Sequence, residues 1–406
     1  MTNDPTNDPT NDFKRTTESL VVSIERILPG GVGLAHTEGK TVFVSLAAKG
    51  DVVRISIDRE QGNLLFASID EVLEPSADRV EPPCPYFGRC GGCDFQQLTY
   101  EAQLDAKAEI IRDCLHRIAH LDIPKIVVVP APAPWHYRAR ATWQIDPEQK
   151  TIGYYERGSR RVCDVAECAV LVPALQNTLE EVRKTATNLV PDDLRHLDAV
   201  VGDNGVSLAP AFADFHTKEL SLTVGEETYN YSAAGFFQVN QEVLTDVIEF
   251  ALNNLVGETA LDLYCGVGLF TLPLARRFRN VIGVESNSVA TRFARRNLQQ
   301  AQLLNANIVT ASVTDWFRSG GKRFDSVDSV LLDPPRAGAE SAVITGILDL
   351  KPSRICYVSC DPATLGRDLK KLIAGGFEVD AISGFDMFPQ THHVETVVQL
   401  VLPVGH

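Results

Sequence analysis

The chain has 406 residues, 44% apolar and 22% charged. That is globular composition too long for a single hydrophobic core, so two or three domains are expected and a disordered or fibrous protein is excluded. The formal net charge of −15 excludes nucleic-acid binding by overall charge, which works by exchanging counterions for Lys and Arg.

Basic surface must therefore be local. Arg138, Arg140, Arg157, Arg160 and Arg161 form one candidate set, and Arg276, Arg277, Arg279, Arg292, Arg295 and Arg296 a second; each set taken alone reads first as a solvated face. No run approaches the roughly 18 apolar residues of a membrane helix, and the N-terminus lacks the charged-then-apolar layout of a secretory signal. A cytoplasmic protein without a membrane segment is expected.

In chain order, residues 1–16 open with "MTNDPTNDPTND", a polar repeat with proline that can bury nothing and is expected to be a disordered tail. From 17 to 74, short alternating runs such as "KTVFVSLA" and "DVVRISIDRE" are separated by glycine-rich breaks, the spacing of a small closed β-barrel. Residues 75–230 are expected to form a central α+β domain. It begins with "CPYFGRCGGC", where three of the nine cysteines of the chain fall within ten residues.

In a reducing compartment clustered cysteines point to metal ligation or reactivity. Cys84, Cys90 and Cys93 supply three of the four ligands a tetrahedral centre needs, and "RVCDVAECAVL" offers Cys163 or Cys168 as the fourth. Spacing alone leaves zinc and a [4Fe–4S] cluster both open. Leu104, Ala108, Ile111, Leu115 and Ile118 recur at helical intervals, which predicts an amphipathic helix over about 97–120 packing on the catalytic domain, with Cys114 a buried, inert thiol beside the stripe. A second helical piece is expected near 171–188.

From 231 to 406 the pattern becomes strand, glycine-rich turn, helix, strand. This predicts a parallel sheet with right-handed crossovers and a ligand site beyond the carboxyl ends of its strands. "LDLYCGVGLF" ends a strand with Gly266 and Gly268, where the backbone can approach a ligand, and Glu285 ends the next strand about 20 residues later, placed for ribose hydroxyls. The shortened G-x-G, with no third glycine to cradle a pyrophosphate, favours an adenosyl cofactor over a dinucleotide.

"DPPRAGA" sets Asp333 on a turn stiffened by two prolines. Cys360 in "YVSCDPATLGRD" falls at the exposed end of a strand and is a candidate nucleophile, whereas Cys356 reads as core. Glu395, at the start of the last strand beside His392 and His393, is the candidate base.

These residues resemble the uracil-5 RNA methyltransferase family, whose members make 5-methyluridine in ribosomal and transfer RNA. "FFQVN" at 236–240, "LDLYCGVG", "DPPR", "SCDPATLGRD" and "HHVE" occur in the family's order and spacing. The 17–74 barrel resembles its OB-like TRAM domain, and "CPYFGRCGGCDFQQLTY" its iron–sulfur segment.

The resemblance implies a multidomain α/β protein with a Rossmann-like S-adenosylmethionine-dependent domain. It implies Cys360 as nucleophile, Glu395 as base, and Gln238, Tyr264, Gly266, Glu285 and Asp333 around S-adenosylmethionine. It further implies Cys168 as the fourth ligand, a [4Fe–4S] cluster in preference to zinc, an RNA substrate and a monomer. Ribosomal RNA is preferred, because relatives acting on transfer RNA commonly lack the barrel and the cysteines.

Two departures stand out. Asp361 replaces the asparagine common after the nucleophile and is expected to raise the thiol pKa. No cofactor contact is assigned near Ser312. A non-catalytic RNA-binding factor and an iron–sulfur oxidoreductase are the competing readings.

Overall fold

The computed structural model describes residues 16–189, 191, 193–320 and 326–403, so nearly all of the polar N-terminal repeat expected to be a tail lies outside the described residues. Six strands come first: β1 (Thr16–Ser23), β2 (Arg26–Leu28), β3 (Val32–Thr37), β4 (Lys40–Ser45), β5 (Val52–Gln61) and β6 (Leu64–Glu74). Their order is β1-β5-β6-β4-β3-β2. The two edge strands are consecutive in sequence. Between them, Ile24 N–H bonds to Asp51 O at 2.9 Å and Glu25 N–H to Leu34 O at 2.8 Å, so one bent strand returns the sheet upon itself. The alternation along β5 buries Val53, Ile55 and Ile57 against Val22, Ile24 and Val44 inside.

Helix α1 (Tyr100–Cys114) continues as a π-helical turn, Leu115–Ala119, and is followed by the two-residue strand β7 (Val128–Val129). A five-stranded antiparallel sheet has the order β10-β9-β8-β11-β12. It is built from β8 (Arg140–Asp146), β9 (Thr151–Tyr155), β10 (Val162–Asp164), β11 (His196–Gly202) and β12 (Gly205–Ala209). Helix α2 (Pro173–Leu189) closes its core with Leu175, Leu179 and Val182 against Trp143 and Leu197. The hairpin β13 (Leu220–Val224) and β14 (Glu227–Tyr231) follows.

The remaining elements are α3 (Leu244–Leu252), β15 (Thr259–Leu263), α4 (Thr271–Arg277), β16 (Asn280–Glu285), α5 (Ser288–Gln300), β17 (Ala306–Thr310), α6 (Val313–Arg318), β18 (Ser329–Leu332), α7 (Ser341–Leu350), β19 (Arg354–Ser359), α8 (Pro362–Ala374), β20 (Glu378–Phe385) and β21 (Glu395–Val401). They form an eight-stranded sheet of order β17-β16-β15-β18-β19-β21-β20-β7. The strands from β17 to β19 are parallel, and β21 runs antiparallel to both its neighbours. Both faces are covered, which is why β18 and β19 are apolar almost without interruption.

One stretch assigned to the central unit, the hairpin, packs on the larger sheet. The hairpin lays Leu220, Leu222, Tyr229 and Tyr231 into the core shared with α5, where Asn230 and Asn297 bond, so a division at 230/231 cuts β14 before its last residue and parts the hairpin from the larger sheet's surroundings. Ile111 and Leu115 of the α1 segment lie in the core on the other face of the same sheet, and β7 pairs with β20. Among the described residues no helix is long and apolar enough to cross a membrane.

Candidate active site and the four-cysteine pocket

The sheet order lines up the candidate residues. Glu285 ends β16, Tyr264 and Gly266 follow β15, Asp333 follows β18, Cys360 follows β19 and Glu395 begins the antiparallel β21. These are five consecutive strands at one edge, each about 4.8 Å from the next. The chain reverses its direction of winding between β15 and β18, the place where an open parallel sheet leaves a crevice.

At the β16–β15 end, Glu285 is already oriented. Its Oε2 accepts the Gly266 N–H at 3.2 Å and its Oε1 accepts the Asn287 N–H at 2.7 Å. Gly266 has φ +54°, and a Cβ there would meet no atom within 4 Å, so the missing side chain leaves open space over the crevice. Tyr264 is also left-handed, at φ 64°. Asp262, buried at the end of β15, accepts from Thr271 Oγ1 at 2.5 Å while its Oδ1 has no partner. Burial, with Asp333 and Glu285 nearby, pushes its carboxyl up to about 7. Burial does the same to Asp333, also to about 7.

The Asp333 turn is held by more than its prolines. Asp368 of α8 accepts the Ala339 N–H at 2.9 Å and the Tyr357 hydroxyl at 2.8 Å, and Arg367 donates to Ala337 O at 3.0 Å. Gln238 is half-buried on the loop after β14. That loop is tied to the central unit, since Ala139 N–H bonds to Val239 O at 2.8 Å and Arg140 donates to Gly235 O at 2.7 Å. Ser312 caps α6 by accepting from Asp315 N–H, which accounts for its polarity without a cofactor contact.

At the other end, Ser359 pairs with Thr396, so the same register carried one step further sets Cys360 against Glu395. Burial, the Glu395 carboxylate and Asp333 push the Cys360 thiol up to about 12, while Arg336 opposes them. The Asp361 carboxylate is the least of the causes that raise it: Oδ1 caps α8, accepting from Ala363 and Thr364 N–H at 3.0 and 2.9 Å. The expected penalty has the right direction, and Glu395 and Asp333 outweigh it. Glu395 is buried, its Oε1 has no hydrogen-bond partner, and burial followed by Asp333 holds its carboxyl well above the usual range. His393 lies 3.3 Å from Arg336, and burial depresses its pKa to about 3.

Cys84, Cys90, Cys93 and Cys168 line one pocket with Tyr86 and Arg138, whereas the buried Cys163 lies opposite Tyr154 in the β9–β10 ladder and outside that lining. Burial raises three of these thiols, Cys90 to about 11, Cys93 to about 12 and Cys84 in the same direction. The donor chemistry fits a thiolate-bound group, and the Arg138 Nε in the lining, buried without a partner, fits a negatively charged one. Yet no three His, Cys, Asp or Glu among the described residues are set closely enough to hold a metal ion, so the expected cluster is not established by donor geometry.

Sequence reasoning missed Phe236, 60% exposed with the Arg140 guanidinium 5.8 Å from its ring centre, and Arg336, whose charge acts on Cys360. An aromatic at the outer position of "FFQVN" was the available signal. Eight of the eleven candidate arginines are engaged within the chain: Arg161 pairs with Glu156, Arg276 with Glu227, Arg279 with Glu258 and Arg296 with Glu219, while Arg140, Arg157, Arg277 and Arg295 donate to backbone carbonyls.

A parallel sheet with an antiparallel strand inserted beside its last parallel member, and an acidic residue and glycine turn at the switch point, is the fold of S-adenosylmethionine-dependent methyltransferases. Residues 180–402 match the family described as tRNA (Uracil-5-)-methyltransferase. The chain is 33% identical over 421 residues to the 23S rRNA (uracil(1939)-C(5))-methyltransferase RlmD of Vibrio parahaemolyticus, covering 94% of this chain and 95% of that protein. It is 34% identical over 418 residues to the RlmD of Pseudomonas putida, covering 93% and 92%. The solved Pyrococcus abyssi tRNA (uracil-54, C5)-methyltransferase, in complex with S-adenosyl-L-homocysteine, matches with a TM-score of 0.73 at 26% identity over 94% of this chain and 99% of that one.

The chain belongs to the uracil-5 RNA methyltransferase family. A tRNA enzyme that aligns over 94% of this chain has counterparts to most of the N-terminal half, so that half does not separate ribosomal from transfer RNA substrates.

Proposed function

We propose that this protein methylates C5 of a uridine in RNA through a covalent adduct between Cys360 and C6 of the base. The observation that carries the reading is the row of Glu285, Gly266, Asp333, Cys360 and Glu395 on consecutive strands, with the thiol and the free carboxylate on facing positions. S-adenosylmethionine, when bound, supplies an electrophilic methyl group on a positively charged sulfur.

Glu285, held by two backbone N–H groups, is read as the acceptor for ribose hydroxyls, with Asp333 and Gln238 as further cofactor contacts. C5 of uracil is a weak nucleophile. Addition of the Cys360 thiolate to C6 makes C5 enolate-like, so that it can take the methyl group. Glu395 then removes the C5 proton and the thiolate leaves. In the free protein burial favours the neutral thiol and the neutral acid, so positive charge must draw both toward ionisation. Arg336 supplies such charge to both groups.

Reaching C6 requires the base to leave its stack, which is cheapest in a loop or single strand. The exposed Phe236 ring with Arg140 beside it offers a surface for an unstacked base.

23S ribosomal RNA is the preferred substrate because the relatives named for it stand at 33% and 34% identity, against 26% for the tRNA enzyme. The bent six-stranded sheet is read as a TRAM-type RNA-binding domain. The four cysteines are read as ligands of a [4Fe–4S] cluster. The methyl transfer needs no electron, and the cluster's role is to shape the central segment.

The test is mass mapping of 5-methyluridine in ribosomal and transfer RNA from cells with and without the gene. Loss of one 23S site is expected. An unchanged RNA in both fractions overturns the reading.

A further inference from the structure

Residues 386–394, which join β20 to β21 and end at Glu395, are held by four distant parts of the chain. From α1, Lys107 forms a fully buried ion pair with Asp386 and donates to Phe388 O at 3.0 Å, while Gln103 exchanges two hydrogen bonds with Gln390 at 2.9 and 3.0 Å. From the central unit, the Tyr137 hydroxyl donates to Pro389 O at 2.9 Å. From the first sheet, Gly31 at φ +73° lies so close that a Cβ would come within 3.0 Å of the His392 Cβ. The fourth part is Asp94, the residue after Cys93.

Asp94 makes the densest of these attachments. Its Oδ1 accepts the His392 backbone N–H at 2.7 Å, and its Oδ2 lies 2.6 Å from His392 Nδ1. A carboxylate only accepts, so Nδ1 carries the proton. The backbone N–H groups of Asp94 and Phe95 both donate to Gln390 O, at 3.1 and 3.0 Å. Three residues beyond His392 stands Glu395, whose Oε1 has no partner, so its aim depends on the backbone that delivers it. On the other side, the Cys93 carbonyl is fixed by Arg157 at 2.8 Å.

We propose that Asp94 is a positioning residue for the base: it clamps the backbone at 390–392 to the four-cysteine segment and thereby aims the Glu395 carboxylate at the C5 proton. The proposal rests on the reading of Cys360 and Glu395 given above. In the step concerned, Glu395 takes the proton from methylated C5, the electron pair of that C–H bond becomes the C5=C6 double bond, and the C6–S bond breaks to release the Cys360 thiolate. Thiol addition and methyl transfer precede it and do not use Glu395 as a base. A misaimed carboxylate therefore lets the methylated enzyme–RNA adduct build up.

The test compares full-length wild type, Asp94→Ala, Asp94→Asn and Glu395→Gln on an unmodified 23S rRNA transcript with S-adenosylmethionine. Asp94→Asn keeps an acceptor for the His392 N–H and guards against loss of fold in the alanine variant. For both Asp94 variants kcat is expected to fall about 10- to 100-fold, with KM for RNA and S-adenosylmethionine affinity within about twofold of wild type if only aim is lost. A denaturant-stable adduct one methyl group heavier than enzyme plus RNA should accumulate, as in Glu395→Gln. Asp94 variants with wild-type kcat, or slow variants without adduct while Glu395→Gln accumulates it, overturn the proposal and leave the site reading intact. Absence of adduct in Glu395→Gln overturns the site reading itself.

Discussion

Cys360 and Glu395 occupy facing positions one step beyond the last ladder pair of β19 and β21, Ser359 with Thr396. Directly opposed residues of antiparallel strands have Cβ atoms about 5 Å apart, close enough for both side chains to reach one pyrimidine ring. Cys360→Ala is expected to abolish both methylation and the covalent complex that 5-fluorouridine RNA forms with the wild-type protein. Gel analysis under denaturing conditions reads the complex, and an adduct in the alanine variant would exclude Cys360 as the nucleophile.

The carboxyl of Asp333 sits at about 7 in the free protein because burial penalises its charge. On the proposed reading of Asp333 as a cofactor contact, a sulfonium near it would favour the ionised form and lower that value, so binding would release a proton wherever the free group is still protonated. S-adenosylmethionine affinity should therefore be constant at alkaline pH and weaken below about 7, approaching about tenfold per pH unit for one coupled group. Calorimetry in buffers of different ionisation enthalpy measures the proton directly. A pH-independent affinity contradicts the placement of the donor against Asp333.

Asp361→Asn tests whether the unusual residue after the nucleophile limits the rate. Asparagine caps a helix about as well as aspartate, so stability should change by less than about 0.5 kcal/mol, whereas Asp361→Ala should cost about 1 kcal/mol. Because burial leads the shift on Cys360, followed by Glu395 and Asp333 with Asp361 last, the rate of Asp361→Asn should stay close to wild type. A large acceleration would show that Asp361 restrains the thiol.

Lys107 and Asp386 form an ion pair with no exposed side-chain surface, and burial lowers the Lys107 pKa while Asp386 raises it. Lys107→Ala leaves a buried carboxylate alone and is expected to destabilise the fold by about 3–5 kcal/mol, seen as a lower denaturant midpoint. A midpoint unchanged within error would mean that water reaches Asp386 in solution.

In the four-cysteine pocket, anaerobically purified protein is expected to carry about four irons per chain. Cys168→Ala should lose them and Cys163→Ala should keep them, since only the former lines the pocket. Iron and sulfide assays decide between the two. One zinc per chain and no iron would restore the other metal reading.

The placement of the candidate row was legible because parallel strands announce themselves as apolar runs and deliver their next residue to the crevice. Tyr264, Glu285, Asp333 and Cys360 each follow or end such a run. What joins the units was not legible, for a physical reason. On α1 the predicted stripe captures Ile111 and Leu115, yet the buried face also holds Gln103 and Lys107, which hydrophobic periodicity assigns to solvent. Their partners lie at Gln390 and Asp386, more than 270 residues away, and a polar pair satisfied at that range leaves no local trace. The same holds for Asp368, which reads as an ordinary helix-face residue until its bonds to the Asp333 turn are seen.

The two-residue strand β7 gives the large sheet its outer border, pairing Val128 and Val129 with Gly384 and Phe385. Those two residues come from a stretch that precedes the central sheet in the chain. A fragment beginning after the hairpin would leave β20 with a bare row of amide and carbonyl groups, an invitation to self-association. The methyltransferase half is therefore not a detachable module, and any attempt to produce it alone should carry the segment from α1 to β7 with it.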